Sequence, residues 1–364
     1  MMNKKYLSAY FPNMSRRNWQ DWRWQFQNRV TSVNRLAEIL PRTILTGKEL
    51  RRVVSRYPLA ITPYYLSLMT SADKQDAIAL QCLPDTKEIS AMPDYLADPL
   101  NEDGQMPAPK LIHRYPDRAL AMVTQVCATY CRHCNRKRFW TTPNAGSLKH
   151  RIGKMVRYIE TSPQIREVIL SGGDPLTYDD DQLEFILSSF AAIPHVEVLR
   201  IGSRIPVVLP MRITKELCRI LKRYRPVWFN TQFNHPQEIT LEATRACNRL
   251  QEAGIPVSNQ SVLLKGVNDS VGVMRELLHG LQKISIRPYY LFHCEPVRGC
   301  SHFRSDLQSG LTMMEYLRLS SSGLALPQYV ADLPGSAGKT PILALSQTIK
   351  KNFEKHQDFF DNFQ

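Results

Sequence analysis

The chain has 364 residues, 43% of them hydrophobic, and a formal net charge of +14 at pH 7. This length can supply the buried core of one large domain or of two ordinary ones. The sequence has no run of about eighteen apolar residues and no apolar stretch after its charged start, which argues against a membrane span and a secretory signal. We therefore expect a cytoplasmic protein. The basic residues are spread along the chain without an aromatic-interleaved module, so we expect no nucleic-acid partner.

Residues 1–95 have helical patterns. The stretch "SRRNWQDWRWQFQNRV" begins at Ser15, a residue type that favours the N-cap position, and "TGKELRRVVSRY" and "ADKQDAIALQCL" have apolar residues at helical spacing. The next stretch, "MPDYLADPLNEDGQMPAPK", has little periodicity and contains several prolines and acids, which is typical of a connection. We predict an N-terminal helical region over residues 1–95 and a boundary after it.

Short apolar runs alternate with amphipathic helical patterns from about residue 118 onward. The six runs are "ALAMVTQV", "REVILS", "VEVLRIG", "PVWFNTQF", "PVSNQSVLL" and "RPYYLFH". The helical patterns between them are "SLKHRIGKMVRYIET", "DDDQLEFILSSFAAI", "TKELCRILKRY", "TLEATRACNRLQEAG" and "SVGVMRELLHGLQK". After the first run the strands recur at roughly thirty-residue intervals, the length of a βα unit with a right-handed crossover. The alternation predicts an α/β fold with six parallel strands, either a closed or partial barrel or an open doubly wound sheet.

Polar and glycine-rich stretches follow all six predicted strands. A cysteine-rich stretch comes first, followed by "SGGDPL", "GSRIPVVLP", "FNHP", "LKGVND" and "CEPVRG". In both architectures ligands bind beyond the C-terminal ends of the strands. The sequence therefore predicts one functional site at that edge of the sheet.

Three cysteines, Cys127, Cys131 and Cys134, have the spacing C-x3-C-x2-C in a run rich in arginine and lysine. A structural zinc site needs four ligands, and His133 or a remote cysteine could complete it. A [4Fe-4S] cluster held by three thiolates leaves one iron open to an external ligand, and we favour it over zinc. We expect the other cysteines to be small buried hydrophobes. They are Cys82, Cys218, Cys247, Cys294 and Cys300.

An open iron of this kind resembles the radical S-adenosylmethionine enzymes, in which the amino and carboxylate groups of S-adenosylmethionine chelate the fourth iron. A second signal is "VILSGGDPL", which places Gly172, Gly173 and Asp174 directly after a predicted strand. Glycine lets the backbone approach a ligand closely, and a carboxylate can accept hydrogen bonds from an ammonium group. This stretch resembles the segment that binds the methionyl amino group in those enzymes.

Lys339 lies in the glycine-rich stretch "YVADLPGSAGKTP", whose spacing does not match a phosphate-binding P-loop. Without further context Lys339 is a lysine on a flexible loop. Motifs from about residue 18 to residue 342 together resemble the lysine 2,3-aminomutase family. They are "WQDWRWQFQNRV", "AITPYYLSL", "HRYPDRAL", "CATYCRHCNRKRF", "LSGGDPL", "RIGSRIPVVLPMRIT", "FNHPQEIT", "NQSVLLKGVND", "RPYYLFHCE", "HFR" and "DLPGSAGKTP".

The resemblance implies a role for each matching residue. Lys339 would form the internal Schiff base with pyridoxal 5'-phosphate, and Arg136 would bind the substrate carboxylate. The implied contacts to pyridoxal phosphate are Arg114 and Arg118. Those to S-adenosylmethionine are Gly172, Gly173, Asp174 and Gln260, and those to the cluster are Cys127, Cys131 and Cys134. Glu295 and Asp332 align with two aspartates that bind the substrate side-chain ammonium in the lysine enzymes, so we expect a basic amino acid as substrate.

The implied reaction moves the α-amino group of that substrate to the β-carbon, through a 5'-deoxyadenosyl radical and a pyridoxal phosphate aldimine. L-Lysine is the first choice, with arginine or ornithine as alternatives because Glu295 is one methylene longer than aspartate. Two other readings are the branch that isomerises lysine for attachment to an elongation factor, and an iron-sulfur or zinc module that binds nucleic acid. The latter leaves Lys339 and "SGGD" unused.

The sequence departs from the family pattern at Gln232, where the lysine enzymes usually have histidine, and at Ser270, where some members have a zinc-binding cysteine. We therefore predict no structural zinc. The family architecture implies a partial parallel (βα)6 barrel over residues 96–330, followed by the lysine loop and a tail over residues 331–364. The implied partners are a low-potential electron donor of the flavodoxin or ferredoxin type and further copies of the same chain.

Overall fold

One nine-stranded sheet organises the chain, in a computed structural model that describes residues 7–11, 14–40, 48–70, 75–90, 92–142, 146–332 and 338–342. The strands follow one another across the sheet in chain order. Their bounds are β1 Leu111–Tyr115, β2 Arg118–Thr124, β3 Glu167–Gly172, β4 Val198–Gly202, β5 Val227–Thr231, β6 Val257–Leu263, β7 Arg287–His293, β8 Gln328–Asp332 and β9 Lys339–Pro341.

The interior of the sheet is parallel and its two edges are antiparallel. Strands β2 to β8 run in one direction, whereas β1 and β9 pair antiparallel with β2 and β8. The strand order links β1 and β9 to no second neighbour within the described residues, so the sheet is unclosed. All six predicted parallel strands are confirmed as β2 to β7, and the α/β partial barrel is the observed architecture.

Helices alternate with the parallel strands and precede them in the N-terminal part. Their bounds are α1 Arg16–Gln20, α2 Trp22–Gln27, α3 Val33–Ile39, α4 Lys48–Arg56, α5 Pro63–Leu66, α6 Ala77–Cys82, α7 Leu148–Glu160, α8 Asp180–Ala191, α9 Ile205–Val208, α10 Lys215–Arg223, α11 Leu241–Glu252, α12 Val271–Lys283 and α13 Leu307–Ser320. The five helices predicted between strands are confirmed as α7, α8, α10, α11 and α12. A side-chain oxygen caps the first turn of each, from Ser147, Asp179, Thr214, Thr240 and Ser270.

Helix α7 shows how these helices pack. Ile152, Met155 and Ile159 lie on one face and are all buried, because residues three and four apart share a side of a helix. Burying each such side chain stabilises the fold by roughly 1.5–3 kcal/mol. The helices therefore cover the sheet and leave the carboxyl ends of its strands for the site.

The first predicted helix is interrupted. Ser15 caps α1 as expected, but the chain turns at Asp21, whose carboxylate accepts a hydrogen bond of 2.8 Å from the Arg23 N–H and starts α2. Aspartate competes for backbone N–H groups in this way and favours the N-cap over the helix interior. The break keeps both Trp19 and Trp22 buried.

Three strands are absent from the sequence prediction, and the expected number of parallel strands was one too few. Strand β8 is a seventh parallel strand, and β1 and β9 are short antiparallel edges. Strand β9 has three residues, too few for a period to show, and β1 and β8 lie outside the strand–helix repeat from which the other strands were predicted. Lys339 consequently begins a strand rather than lying on a flexible loop. No helix in the described ranges is long and apolar enough to span a bilayer.

Candidate active site

A cavity of about 330 Å³ lies at the carboxyl ends of the strands. Eleven of the residues that the sequence predicts for the site line it, drawn from the cysteine-rich stretch, from the middle of β6, from the carboxyl ends of β3, β7 and β8, and from the start of β9. They are Cys127, Cys131, Cys134, Arg136, Gly172, Gly173, Asp174, Gln260, Glu295, Asp332 and Lys339. The remaining two, Arg114 and Arg118, lie on β1 and β2 beside this cavity rather than in its lining.

The cysteine loop, residues 127–138, follows β2 and is hydrogen-bonded to the N-terminal part of the chain. The Tyr130 N–H donates to the Ala60 carbonyl at 3.0 Å, and the Arg132 N–H donates to the Gln81 carbonyl at 2.8 Å. Within the loop, the Cys134 N–H donates to the Cys131 carbonyl at 2.9 Å and forms a tight turn. The N-terminal layer therefore fixes the backbone that presents the cysteines.

Two basic residues of this loop point inward to one carboxylate. Glu88, which is fully buried, accepts from Arg132 Nη2 at 2.7 Å and from Lys137 Nζ at 2.9 Å. Lys137 also donates to the Arg132 and Gly299 carbonyls. These two cations oppose the burial that would raise the pKa of the Glu88 carboxyl, and the pKa is lowered on balance. The basic run is thus partly a structural anchor.

The other basic pair of the loop holds Glu102. Arg136 donates to Glu102 through Nη2 at 2.6 Å and through Nε at 3.0 Å, and Arg138 Nη2 donates to it at 2.9 Å. Arg138 also approaches Asp98 at 3.1 Å. One edge of the Arg136 fork is therefore occupied, while the residue still lines the cavity.

The thiols of the cysteine loop fit a bound cationic cluster. All three thiols are free of disulfide bonds. Burial, the Asp174 carboxylate and the other two cysteines raise the pKa of the Cys127 thiol well above its usual range. Burial and Cys131 raise the pKa of Cys134 to about 12. No three His, Cys, Asp or Glu side chains in the described ranges already converge as ligands of one ion. Crowded, desolvated thiols become thiolates when positive iron offsets the cost, so this donor set fits a [4Fe-4S] cluster.

The two glycines at the end of β3, the last residue of the strand and the one after it, are required by the approach of the cysteine loop. A Cβ on Gly172, whose φ is +120°, would lie 2.2 Å from the Thr124 carbonyl oxygen, and one on Gly173 would lie 2.4 Å from the Val126 carbonyl oxygen. The Gly173 N–H donates to Thr124 at 2.6 Å instead. Only glycine fits at both positions, so "SGGD" packs against the base of the cysteine loop.

Asp174 is buried, and its carboxylate is used for internal hydrogen bonds. It accepts from Ser203 Oγ at 2.8 Å, from the Arg204 N–H at 2.8 Å and from the Leu176 N–H at 3.1 Å. Burial raises its pKa to about 6 in spite of these donors. Asp174 thus ties the end of β3 to the end of β4 while it lines the cavity.

The lining of the cavity also contains Glu295, Asp332 and Lys339, which we call the lysine wall. Lys339 pairs with Asp332 in the β8–β9 register, and its Nζ lies 5.4 Å from the centre of the Tyr115 ring. Burial lowers the pKa of Lys339, and nearby arginines including Arg118 lower it further against the attraction of Asp332. A buried amine with a lowered pKa can form an imine, so Lys339 fits pyridoxal phosphate.

The two carboxylates of the lysine wall differ in their partners. Asp332 accepts from Arg114 Nη1 at 2.6 Å. Glu295 accepts from the Asn135 amide at 3.2 Å. Burial and the nearby Asp332 charge raise the pKa of Glu295 to about 7, although Asn135 and Arg136 oppose the rise.

Sequence reasoning missed Arg204, which follows β4. Its Nη1 donates to the Cys131 sulfur at 2.9 Å, and its Nη2 pairs with Glu238 at 2.6 Å. No spacing rule links an arginine to a cysteine seventy-three positions away. Its only sequence signal is its place in "GSRIPVVLP", directly after a predicted strand. The two polar residues Gln232 and His133 lie beside it in the cavity lining, with their Nε2 atoms 3.4 Å apart.

Comparison with known proteins decides the family. The radical SAM superfamily model matches residues 122–278. The L-lysine 2,3-aminomutase of Clostridium subterminale is 47% identical over 97% of this chain and 86% of that protein. This chain belongs to the lysine 2,3-aminomutase family. The L-lysine 2,3-aminomutase of Fusobacterium nucleatum is 46% identical over 95% of this chain and 83% of that protein.

Membership in the lysine 2,3-aminomutase family confirms the enzyme class predicted from the sequence. The chain is a radical S-adenosylmethionine isomerase with a [4Fe-4S] cluster, S-adenosylmethionine and pyridoxal phosphate as its cofactors. The glutamate 2,3-aminomutase of Clostridioides difficile is also 43% identical, over 91% of this chain and 78% of that protein. Overall similarity therefore leaves the substrate to be argued from the cavity.

Proposed function

We propose that this chain is a 2,3-aminomutase for a basic amino acid, with L-lysine as the first choice. The observation that carries the proposal is the lysine wall, where Glu295 and Asp332 are two partly buried carboxylates in one cavity with Lys339. A buried cation needs a carboxylate partner, and an acidic side chain such as that of glutamate would be repelled here. The pocket charge therefore favours a substrate with a cationic side chain.

The substrate carboxylate would bind Arg136. Glu102 grips the Nε and Nη2 edge of this guanidinium, and Arg136 still lines the cavity. A guanidinium held on one side presents its remaining N–H groups in a fixed direction, which suits a carboxylate. The two charged ends of a basic amino acid would then be read by opposite charges, one on the cysteine loop and one on the lysine wall.

The cofactor contacts are assigned by the same reasoning. Cys127, Cys131 and Cys134 would hold the cluster, and the backbone at Gly172 and Gly173 would line the S-adenosylmethionine site with Asp174 and Gln260. Lys339 would hold pyridoxal phosphate, with Arg114 and Arg118 close enough to favour its phosphate, since both lower the pKa of Lys339. Together these cofactors supply the radical and the electron sink that a 1,2-amino shift requires.

The protein's own task in this reaction is to orient and to exclude. The carboxylates of the lysine wall and the Arg136 guanidinium fix the two ends of the substrate, which sets the carbon that faces the cluster side. The buried side chains of the lining keep water and other quenchers from the reactive centre. Lys339 carries its amine among aromatic rings, and burial lowers the pKa of that amine.

L-Arginine is the second candidate, because Asp332 already binds a guanidinium. Arg114 Nη1 lies 2.6 Å from Asp332 Oδ1 in the lysine wall. A substrate guanidinium could take this carboxylate together with Glu295, whereas an ammonium would bind as a point charge. The longer reach of glutamate at position 295 is compatible with either side chain.

Product analysis of the anaerobically reconstituted enzyme tests the proposal. L-Lysine, L-arginine, L-ornithine and L-glutamate would be supplied separately with S-adenosylmethionine, pyridoxal phosphate and a reductant. We expect a β-amino acid from a basic substrate and none from glutamate. A β-amino product from glutamate alone, or none from any basic amino acid, would refute the substrate assignment.

The same proposal covers the partners and the location of the enzyme. A low-potential flavodoxin or ferredoxin would reduce the cluster, and the net charge of +14 suits an encounter with an acidic electron carrier. We also propose a cytoplasmic homo-oligomer. Eight free cysteines, five of them buried, support a reducing compartment.

A further inference from the structure

Arg204 is a buried guanidinium in contact with a predicted cluster ligand, and the roles proposed above do not use it. Its Nη1 donates to the Cys131 sulfur at 2.9 Å. Its backbone N–H donates to Asp174 at 2.8 Å, and its Nε donates to the Gln232 carbonyl at 3.2 Å. These contacts come from three strand ends, so the position of the guanidinium beside the sulfur is fixed from several directions.

The charge of Arg204 is balanced on the side away from the sulfur. Its Nη2 pairs with Glu238, which is fully buried, at 2.6 Å. Glu238 also accepts from the Tyr65 hydroxyl at 2.7 Å and from the Asn234 N–H at 2.6 Å. The guanidinium is thus held between a carboxylate and a sulfur, with its cationic N–H directed at the sulfur.

We propose that Arg204 is a positioning residue that raises the reduction potential of the [4Fe-4S] cluster through its hydrogen bond to Cys131. The inference rests on the proposed assignment of the cluster to Cys131. A hydrogen bond from a cation withdraws electron density from a thiolate sulfur and stabilises the added electron when the cluster is reduced. In a buried site this electrostatic effect is weakly screened.

The Arg204–Glu238 pair also predicts that changing Glu238 shifts the reduction potential in the opposite direction. The Glu238 carboxylate partly cancels the Arg204 charge. Replacing this carboxylate by a neutral side chain therefore leaves a stronger positive field at the Cys131 sulfur. A purely structural brace would disturb the cluster in the same direction whichever partner is changed. An electrostatic role requires opposite shifts for the two partners.

The cysteine loop supplies a matched control in Arg132. Arg132 is also fully buried and also pairs with a buried carboxylate, Glu88, at 2.7 Å. Its guanidinium donates to Glu88 and to the Pro58 and Tyr57 carbonyls, and among the described residues the guanidinium contacts no cysteine sulfur; only the Arg132 backbone carbonyl accepts from Cys300 Sγ, at 3.7 Å. Changing Arg132 therefore removes a buried Arg–Glu pair from the same loop without removing a sulfur contact.

The test is a potentiometric titration of the reconstituted full-length protein, followed by the electron paramagnetic resonance signal of the reduced cluster. The variants are Arg204→Gln, Arg204→Lys, Glu238→Gln and Arg132→Gln, each checked for iron content and circular dichroism. We expect Arg204→Gln to shift the potential to more negative values and Glu238→Gln to shift it to more positive values. Arg204→Lys should lie between wild type and Arg204→Gln, and Arg132→Gln should shift least.

Equal shifts in Arg204→Gln and Arg132→Gln, or shifts of the same sign in Arg204→Gln and Glu238→Gln, would overturn the inference. If Arg204→Gln fails to assemble a cluster, Glu238→Gln alone decides, because an unchanged or more negative potential contradicts the electrostatic role. Failure of the proposed function looks different. In that case the wild-type protein itself would bind no cluster, or Cys131→Ala would retain it.

Discussion

The cysteine loop and the lysine wall face the same cavity but manage buried charge in different ways. In the cysteine loop, the cations Arg132 and Lys137 share the carboxylate of Glu88 at 2.7 and 2.9 Å. In the lysine wall, Glu295 accepts from the Asn135 amide, and burial raises its pKa to about 7. The Glu88 carboxylate is thus paired with two cations, whereas the charge of the Glu295 carboxylate is incompletely compensated.

This difference separates structural charges from charges that are available to a ligand. A buried carboxylate that holds two cations contributes to folding and has no further charge to offer. A carboxylate whose pKa is raised by burial is not fully stabilised by its neighbours, so a cationic ligand would stabilise it. Such perturbed pKa values are common at functional sites. The comparison places Glu88 in the scaffold and supports the role proposed for Glu295 in substrate binding.

The largest expected effect is at Lys339. We expect Lys339→Gln to abolish aminomutase activity and to remove the visible absorption band of lysine-bound pyridoxal phosphate. Lys110→Gln is a matched control, because Lys110 Nζ also lies over an aromatic ring, 4.0 Å from the centre of Phe139, but Lys110 does not line the cavity. Retention of the band in Lys339→Gln would show that pyridoxal phosphate is bound to a lysine other than Lys339.

The next largest effect is on stability. Glu88→Ala leaves Arg132 and Lys137 buried without a carboxylate, and breaking such a pair costs roughly 3–5 kcal/mol of unfolding free energy. Chemical unfolding followed by circular dichroism measures the loss. Glu216→Ala, which breaks the exposed Arg219–Glu216 pair, should leave the unfolding free energy nearly unchanged. Similar losses in both variants would contradict the structural role given to Glu88.

Glu295→Gln should affect the reaction more than the fold. It removes one charged partner of the substrate cation, and such a hydrogen bond contributes about 1.5–3 kcal/mol, or roughly 10–100-fold in kcat/KM. Steady-state kinetics with L-lysine measures the change, and the unfolding free energy measured beside it separates binding from folding. An unchanged kcat/KM would show that Glu295 does not read the substrate.

The smallest effect is a pH dependence from the same carboxyl. Its pKa is raised from 4.5 to about 7, so its ionised fraction in the free enzyme grows as the pH rises through 7. Between about pH 6 and about pH 8 this growth predicts a roughly tenfold rise in kcat/KM for a cationic substrate. This rise in kcat/KM with pH should be missing in Glu295→Gln. A rise of the same size in that variant would show that another group titrates.

The ion pairs that hold the cysteine loop were harder to predict from the sequence than the cysteines themselves and Lys339. The spacing of Cys127, Cys131 and Cys134 is local, and a resemblance could be carried to Lys339 position by position. The six parallel strands and their helices followed from periodicity over many residues. The division into residues 1–95, 96–330 and 331–364 stays a prediction.

The unpredicted features are long-range or very short. Glu88 and Glu102 pair with cations more than thirty positions away, and no local pattern announces such a pair. Arg204 likewise reaches Cys131 only through the fold. Strand β9 has three residues, too few to reveal a period.

The central claim is that three cysteines hold a cluster with one iron left for S-adenosylmethionine. Electron–nuclear double resonance of the reduced, reconstituted protein tests it most directly, with S-adenosylmethionine isotopically labelled in its amino nitrogen or its carboxylate oxygen. We expect hyperfine coupling of both labels to the cluster, and we expect this coupling to be lost in Cys131→Ala. A fully protein-coordinated metal centre that shows no coupling to either label would contradict it.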